Sequence, residues 1–272
     1  MNTSNFKDKV VIITGSSQGI GKVTAIDLAR QGAIIVLNGR NIEKLIQVKN
    51  EIKVLGANAV FYCGDISKQS EAKGLIDYTL KTFGKIDILI NNAGVSMRGN
   101  FSDINPVVFK KVFAINVMAA VNTSLYAIGP IKKTCGSIIF ISSVAGIRGL
   151  PSNSAYSSSK MALRAIAESI RIEEANSNIH VGLIYVGITE IEKGKTTISK
   201  NGTLIKLADR SRYNVLSMHQ VAKAIINNIK KRKFTTTLSF LGKLNLMLQK
   251  ISPILVERIL IWTNKRYLSR YL

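Results

Sequence analysis

Short β-branched runs alternate with longer amphipathic segments along most of the chain, and few folds satisfy that rhythm. Val10–Thr14 (VVIIT), Ala33–Asn38 (AIIVLN), Ala59–Cys63 (AVFYC), Ile86–Ile90 (IDILI), Ser137–Ser142 (SIIFIS) and His180–Tyr185 (HVGLIY) read as strands. Nearly continuous apolar runs of this kind suit strands covered on both faces. Between them, Gly19–Gln31, Ile42–Leu55, Gln69–Phe83, Pro106–Ile128 and Ser157–Ala175 read as helices. Such alternation predicts an α/β fold with a doubly wound, mostly parallel sheet of about seven strands and right-handed crossovers. Phe234–Phe240 reads as one further strand, and the 272 residues are within reach of a single domain of this kind.

The stretch TGSSQGIG, Thr14 to Gly21, follows the first strand and opens the first helix. Gly15, Gly19 and Gly21 permit a tight turn and a close approach of backbone to a pyrophosphate at a helix N-terminus. Three glycines alone are weak evidence of a site, but their place between strand one and helix one strengthens it. The spacing, G-x-x-x-G-x-G, departs from the usual dinucleotide fingerprint. It resembles that of the short-chain dehydrogenase/reductase family. The resemblance runs from about Lys9 to about Gly187, with the motifs in the family's order. It implies a Rossmann-like fold and a nicotinamide dinucleotide held by Gly15, Ser16, Ser17, Gly19, Ile20 and Gly21.

The end of strand two reads VLNGRN, which bears on the choice of cofactor. An acid here accepts hydrogen bonds from the adenosine ribose and selects NAD. This chain instead has Gly39 followed by Arg40, whose guanidinium can pair with a ribose 2′-phosphate. The expected cofactor is therefore NADP(H), with Ser16 and Ser17 as further hydrogen-bonding groups. The resemblance places Asp65 and Ile66 (CGDIS) at the adenine. Asn92, Ala93 and Gly94 (NNAG) fall along the adenine ribose, and Gly187 and Ile188 near the carboxamide. Asp65 could instead cap the following helix, as could Ser67. Where the family usually has Pro-Gly after strand six, this chain has Val186–Gly187.

In SAYSSSKMAL, Tyr156 and Lys160 stand four residues apart, so a helix puts them on one face. A phenol titrates near pH 10 unaided and needs a neighbouring positive charge to exchange protons near neutrality. The resemblance implies a catalytic tetrad of Asn116, Ser143, Tyr156 and Lys160. Family spacing selects Ser143 over Ser142. Tyr156 would be the general acid–base, and Ser143 would bind the substrate oxygen. Lys160 would hold the nicotinamide ribose and favour the tyrosinate. Asn116 would hold a water beside Lys160 as a route for the proton. The serines between Tyr156 and Lys160 need no catalytic role.

Cys63 and Cys135 have no ligand-like spacing with His180 or His219, so no metal site is expected, and reduced thiols packed as small apolar residues are the simplest reading. Arg98 and Arg148 flank the expected cleft, as solvated rim charges or as partners of an acidic substrate group. The N-terminal MNTSNFKDK has no signal-type apolar core, and no uninterrupted apolar stretch approaches a bilayer span. A cytoplasmic protein is expected.

The formal net charge of +22 favours anionic partners such as a membrane surface or an acidic carrier protein. Nucleic-acid binding would rest on charge alone, since no recognised module is present. Residues 1–240 read as the dinucleotide-binding domain, with a substrate lid at about 190–212, and residues 241–272 as a basic helical extension broken at Pro253. Leu241, Leu244, Leu248 and Ile251 recur at helical spacing, as do Leu255, Ile259 and Trp262. That pattern fits a helix lying on an anionic membrane, peripheral on the inner face, or an apolar face packed on the core or a sister subunit. The family habit implies a homodimer or homotetramer. The function expected is an NADPH-dependent carbonyl reductase or alcohol dehydrogenase acting on a lipid-like ketone or secondary alcohol. A 3-oxoacyl (carrier protein or CoA) reductase is the alternative. A non-catalytic NADPH-sensing protein is remote, because such proteins usually lose the tyrosine.

Overall fold

The β-branched runs pair as expected. In the computed structural model, which describes residues 6–192, 194–207 and 215–266, seven parallel strands form one sheet. They are β1 (Val10–Ile13), β2 (Ile34–Gly39), β3 (Ala59–Cys63), β4 (Ile88–Asn91), β5 (Ser137–Ser143), β6 (His180–Val186) and β9 (Thr235–Thr237), in the order β3-β2-β1-β4-β5-β6-β9. Between β6 and β9, β7 (Thr196–Ile198) and β8 (Leu204–Lys206) pair separately as an antiparallel hairpin.

Side-chain alternation divides the core into two layers. Val11 and Ile13 face the layer built by α1 (Gly19–Ala29), α2 (Ile42–Val54) and α7 (Met218–Lys230). Val10 and Ile12 face the layer built by α3 (Gln69–Phe83), α5 (Ala119–Lys133) and α6 (Ser154–Glu173). Both faces of the sheet are thus covered, which explains why its strands carry so few polar residues.

Three differences from the sequence reading have physical causes. The segment expected as one helix from Pro106 to Ile128 is α4 (Pro106–Phe113), a π-helical turn at Ala114–Met118, and α5. The 28-residue run Pro106–Lys133 also has the length and apolar composition to cross a bilayer, contrary to expectation, but half of its most apolar window is buried within this fold. α6 begins at Ser154, earlier than expected, and inside it Ser158 and Ser159 donate their hydroxyls to the carbonyls of Ser154 and Tyr156 and so do not compete for turn conformations. Tyr156 therefore lies inside the helix with Lys160. Finally, the cysteines are exposed and not packed in the core: Cys63 ends β3, and Cys135 sits in the turn before β5.

The tail forms α8 (Phe240–Ile251) and α9 (Pro253–Arg266), divided at Pro253. Residues 190–192, 194–207 and the hairpin β7–β8 belong to the expected lid; its remaining positions lie outside the described residues.

Candidate active site

Strands β1 and β4 leave the middle of the sheet toward helices on opposite faces, and their C-terminal ends open a crevice, as in other doubly wound sheets. The cleft there has a volume of about 600 Å³. The loops after six consecutive strands supply its wall: Gly15, Ser17, Gly19 and Ile20 after β1, Gly39 and Arg40 after β2, and Asp65 and Ile66 after β3. Asn92, Ala93 and Gly94 follow β4, Ser143 ends β5, and Gly187 and Ile188 follow β6. Tyr156 and Lys160 reach the same cleft from α6.

The glycine loop is built for close contact. Gly15 and Gly19 adopt φ of 63° and 60°, which side chains disfavour. A Cβ on Gly15 would lie 2.9 Å from the Ala93 backbone, and one on Gly21 would lie 2.5 Å from the Gly15 carbonyl oxygen. Thr14 ties the two loops together, its Oγ1 accepting from the backbone N–H groups of Asn92 and Ala93 at 3.0 Å. Asn92 returns the contact by donating Nδ2 to the carbonyls of Thr14 and Gly15.

Ser16 does not face the cleft. Its fully buried hydroxyl donates to the Ile13 carbonyl at 2.8 Å and accepts from Asn38 N–H at 3.0 Å, so it shapes the turn and is not placed for a phosphate. Asp65 accepts from Ser67 N–H and Oγ, forming a turn, while Lys68 occupies the N-cap of α3. Neither Asp65 nor Ser67 caps that helix.

Opposite the glycine loop, Glu192 extends its carboxylate to the N-terminus of α1 and accepts from Gly19 N–H at 2.7 Å. An anionic oxygen therefore already fits where a helix N-terminus favours negative charge. Nothing lies within 4 Å of the space beside Gly19 where a Cβ would stand. This cradle, together with Arg40 at the tip of β2, fits a dinucleotide. Glu192 and the hairpin leucine Leu204 were missed by sequence reasoning, because nothing local in the chain marks a residue that reaches across a cleft.

At the other end of the cleft, Lys160 is buried and donates Nζ to the Ile141 carbonyl at 2.8 Å. Burial lowers its pKa to about 8. Its Nζ lies 5.9 Å from the Tyr156 ring centroid. The Ser143 hydroxyl accepts from Ala145 N–H at 3.2 Å and lines the cleft, whereas Ser142 donates its hydroxyl to the Lys160 carbonyl. Both serines line the cleft, and their hydroxyls are engaged differently. Asn116 sits in the π-helical turn behind Gly94. Its amide spans Val95, accepting from Val95 N–H at 2.7 Å and donating to Val95 C=O at 2.9 Å, and it also donates to Ser159 Oγ at 2.9 Å. A Cβ on Gly94 would come within 3.2 Å of both Asn116 Oδ1 and Lys160 Nζ, so a side chain here would crowd both polar groups.

The family model described as short chain dehydrogenase matches residues 9–202. The chain is a short-chain dehydrogenase/reductase. Two relatives and one solved structure illustrate how this short-chain dehydrogenase/reductase compares. An uncharacterized oxidoreductase of Thermotoga maritima is 38% identical over 69% of this chain and 74% of its own length. The 3-ketodihydrosphingosine reductase of Bos taurus is 34% identical over 84% of this chain and 70% of its own. Among solved structures, a Burkholderia phymatum short chain dehydrogenase/reductase in complex with NAD shares the fold, with a TM-score of 0.81, 22% identity, and coverage of 92% of this chain and 95% of that one. The chain is thus an oxidoreductase of the family that acts on CH–OH and C=O groups.

Two further features tie the cleft to the C-terminal tail. Val186 keeps the N–H that proline lacks, and β6 stays in register with β5 through Val186, opposite Ser143. Gly187 then passes within 3.1 Å, measured from where a Cβ would stand, of Ser239, the N-cap of α8. Arg148 is neither a solvated rim charge nor a group facing the substrate. It donates to Gln249 Oε1, the Pro253 carbonyl and Glu257 Oε2 at 2.9, 3.0 and 2.8 Å, clasping both tail helices. Arg98 lines the cleft and donates to the Met97 carbonyl and to Asn153 Oδ1.

Proposed function

We propose that this protein is an NADPH-dependent carbonyl reductase for a lipid-like ketone, able to run in reverse on the secondary alcohol. The observation that carries the reading is a single cleft with Ser143, Tyr156 and Lys160 at one end and Arg40, with no carboxylate at the tip of β2, at the other. The bound nicotinamide supplies or takes up the hydride. Tyr156 gives the proton to the substrate oxygen in reduction and removes it in oxidation. Ser143 keeps its hydroxyl proton available to that oxygen while its own oxygen accepts from Ala145 N–H. With a pKa of about 8, Lys160 is mostly charged at neutral pH, and that charge favours the tyrosinate. It would also hold the nicotinamide ribose hydroxyls, and Asn116 would hold a water beside it.

The lipid-like substrate is supported by apolar side chains that line the cleft, Ile198 and Leu204 from the lid, Leu150 from the loop after β5 and Met218 from α7. The ketone part of the assignment agrees with the keto group in the name of the bovine relative. A panel of long-chain ketones, steroids and 3-oxoacyl thioesters tests the assignment. Turnover confined to thioesters would replace it with the 3-oxoacyl reductase reading.

Arg40→Glu tests the cofactor. Losing two charge-assisted hydrogen bonds and adding a like charge should weaken NADPH relative to NADH by about 30- to 100-fold in kcat/KM. An unchanged ratio would remove Arg40 from the phosphate. Glu192→Gln probes the contact across the cleft. A neutral amide accepts the Gly19 N–H less strongly than a carboxylate, so NADPH, which needs that N–H, should bind about 3- to 10-fold more tightly by titration calorimetry. Weaker binding would mean that Glu192 assists the cofactor.

A further inference from the structure

The α8–α9 hairpin covers little of itself. Val256 and Gly242 are its buried positions among the described residues. Phe240, Met247, Ile251, Ile254, Ile259 and Ile261 are all at least half exposed or close to it, at 79, 52, 73, 66, 46 and 50%. On a helix of 3.6 residues per turn, Phe240, Met247 and Ile251 fall along one side of α8, and Ile254 and Ile261 along one side of α9. Basic residues are interleaved with them. Lys243, Lys250, Arg258, Lys265, Arg266 and Arg270 stand in residues 241–272, against Glu257 as the one acid. That acid is already paired with Arg148 at 2.8 Å, so it does not offset the charge facing outward.

We infer that this hairpin docks the protein onto an anionic lipid bilayer, with the active-site cleft held next to the membrane surface. An apolar ridge set among cations matches lipid tails beneath phosphate headgroups. A second copy of the chain fits less well. A two-fold interface sets the same patch against itself, and here that would face cation against cation on a chain of net charge +22.

The hairpin is also fixed to the cleft. Arg148 clasps α8 and α9 from the loop that leads from Ser143 to Tyr156. Gly242 lets α8 close on Val144, where a Cβ would come within 2.7 Å of the valine. Val144 and Leu150 of this loop line the cleft. Docking therefore brings the substrate side of the cleft to the bilayer, where an apolar ketone partitions.

This inference goes beyond the proposed reaction and can fail without it. The test is co-flotation of the full chain with phosphatidylcholine vesicles, with and without phosphatidylglycerol. Three proteins are compared: wild type, the double variant Ile251→Glu/Ile254→Glu and the charge variant Lys250→Glu/Arg258→Glu. All four substituted residues are exposed, so circular dichroism and turnover of a water-soluble ketone should match wild type. Wild type is expected to float only with anionic vesicles. Each variant should bind them about tenfold or more weakly, and added salt should release the wild type. Equal flotation of all three proteins, or no flotation of wild type, would overturn the inference. So would a wild-type dimer in sedimentation equilibrium that ignores vesicles and becomes monomeric in the apolar double variant, which would give the ridge to a sister subunit.

Discussion

Tyr156→Phe should cut turnover of any accepted ketone by about 10²- to 10⁴-fold while leaving NADPH binding within about twofold. The ring stays, so packing within α6 is kept; only the hydroxyl proposed to meet the substrate oxygen is lost. Fluorescence titration of NADPH should therefore overlay wild type, and single-turnover rates should separate the two proteins. A variant that bound cofactor and still turned over at the wild-type rate would remove the phenol from the chemistry. The activity would then have to be rebuilt around Ser143 or solvent.

Lys160→Met should abolish measurable turnover and at the same time make the protein more stable. The lysine is buried, and folding lowers its pKa from 10.5 to about 8 because the interior disfavours the ammonium. The folded state thus binds this proton less readily than the unfolded chain. Between about pH 8 and 10.5 the unfolded state carries more of it, and wild-type stability from this group rises with pH there. Below pH 8 the full penalty applies, with an upper figure of about 3.5 kcal/mol at ~1.4 kcal/mol per pH unit. The bond from Nζ to the Ile141 carbonyl offsets part of that. Denaturant unfolding at pH 7 should show the methionine variant ahead, with the gap closing as pH approaches 10.5. A variant less stable than wild type at every pH would mean that the ammonium's hydrogen bond outweighs its desolvation.

Much of this was legible because a parallel sheet announces itself. Strands buried on both faces must be apolar throughout, so six were found within one or two residues of their ends. The loops at their C-terminal ends followed from the same order. β9 and the helix break at Pro253 were legible for equally local reasons, strand propensity and the missing proline N–H. The part that was not legible depends on contacts between distant segments. Ser16 looked like a phosphate ligand because it lies in the loop, yet Ile13 and Asn38 take its hydroxyl first. Arg148 looked solvated because its partners are roughly a hundred residues away. The cysteines looked buried on general preference, but each ends up in a turn or at a strand end where the backbone carries the thiol to the surface. The π-helical turn has no marker in the periodicity, which one extra residue shifts without erasing.

That turn has a consequence for anyone editing the chain. Residues 114–118 hold one residue more than an α-helix would spend on the same rise. Deleting a single residue there would restore regular winding. The segments on either side would keep their relative phase, because the wider turn already absorbs the extra residue, and what would be lost is the local widening that carries Asn116. Asn116 would lose its grip on Val95 and Ser159, while Thr123 and Ser124 of α5 would stay beside Asn91. The widened turn is what a deletion here takes away, and length-neutral changes are the safe kind in it.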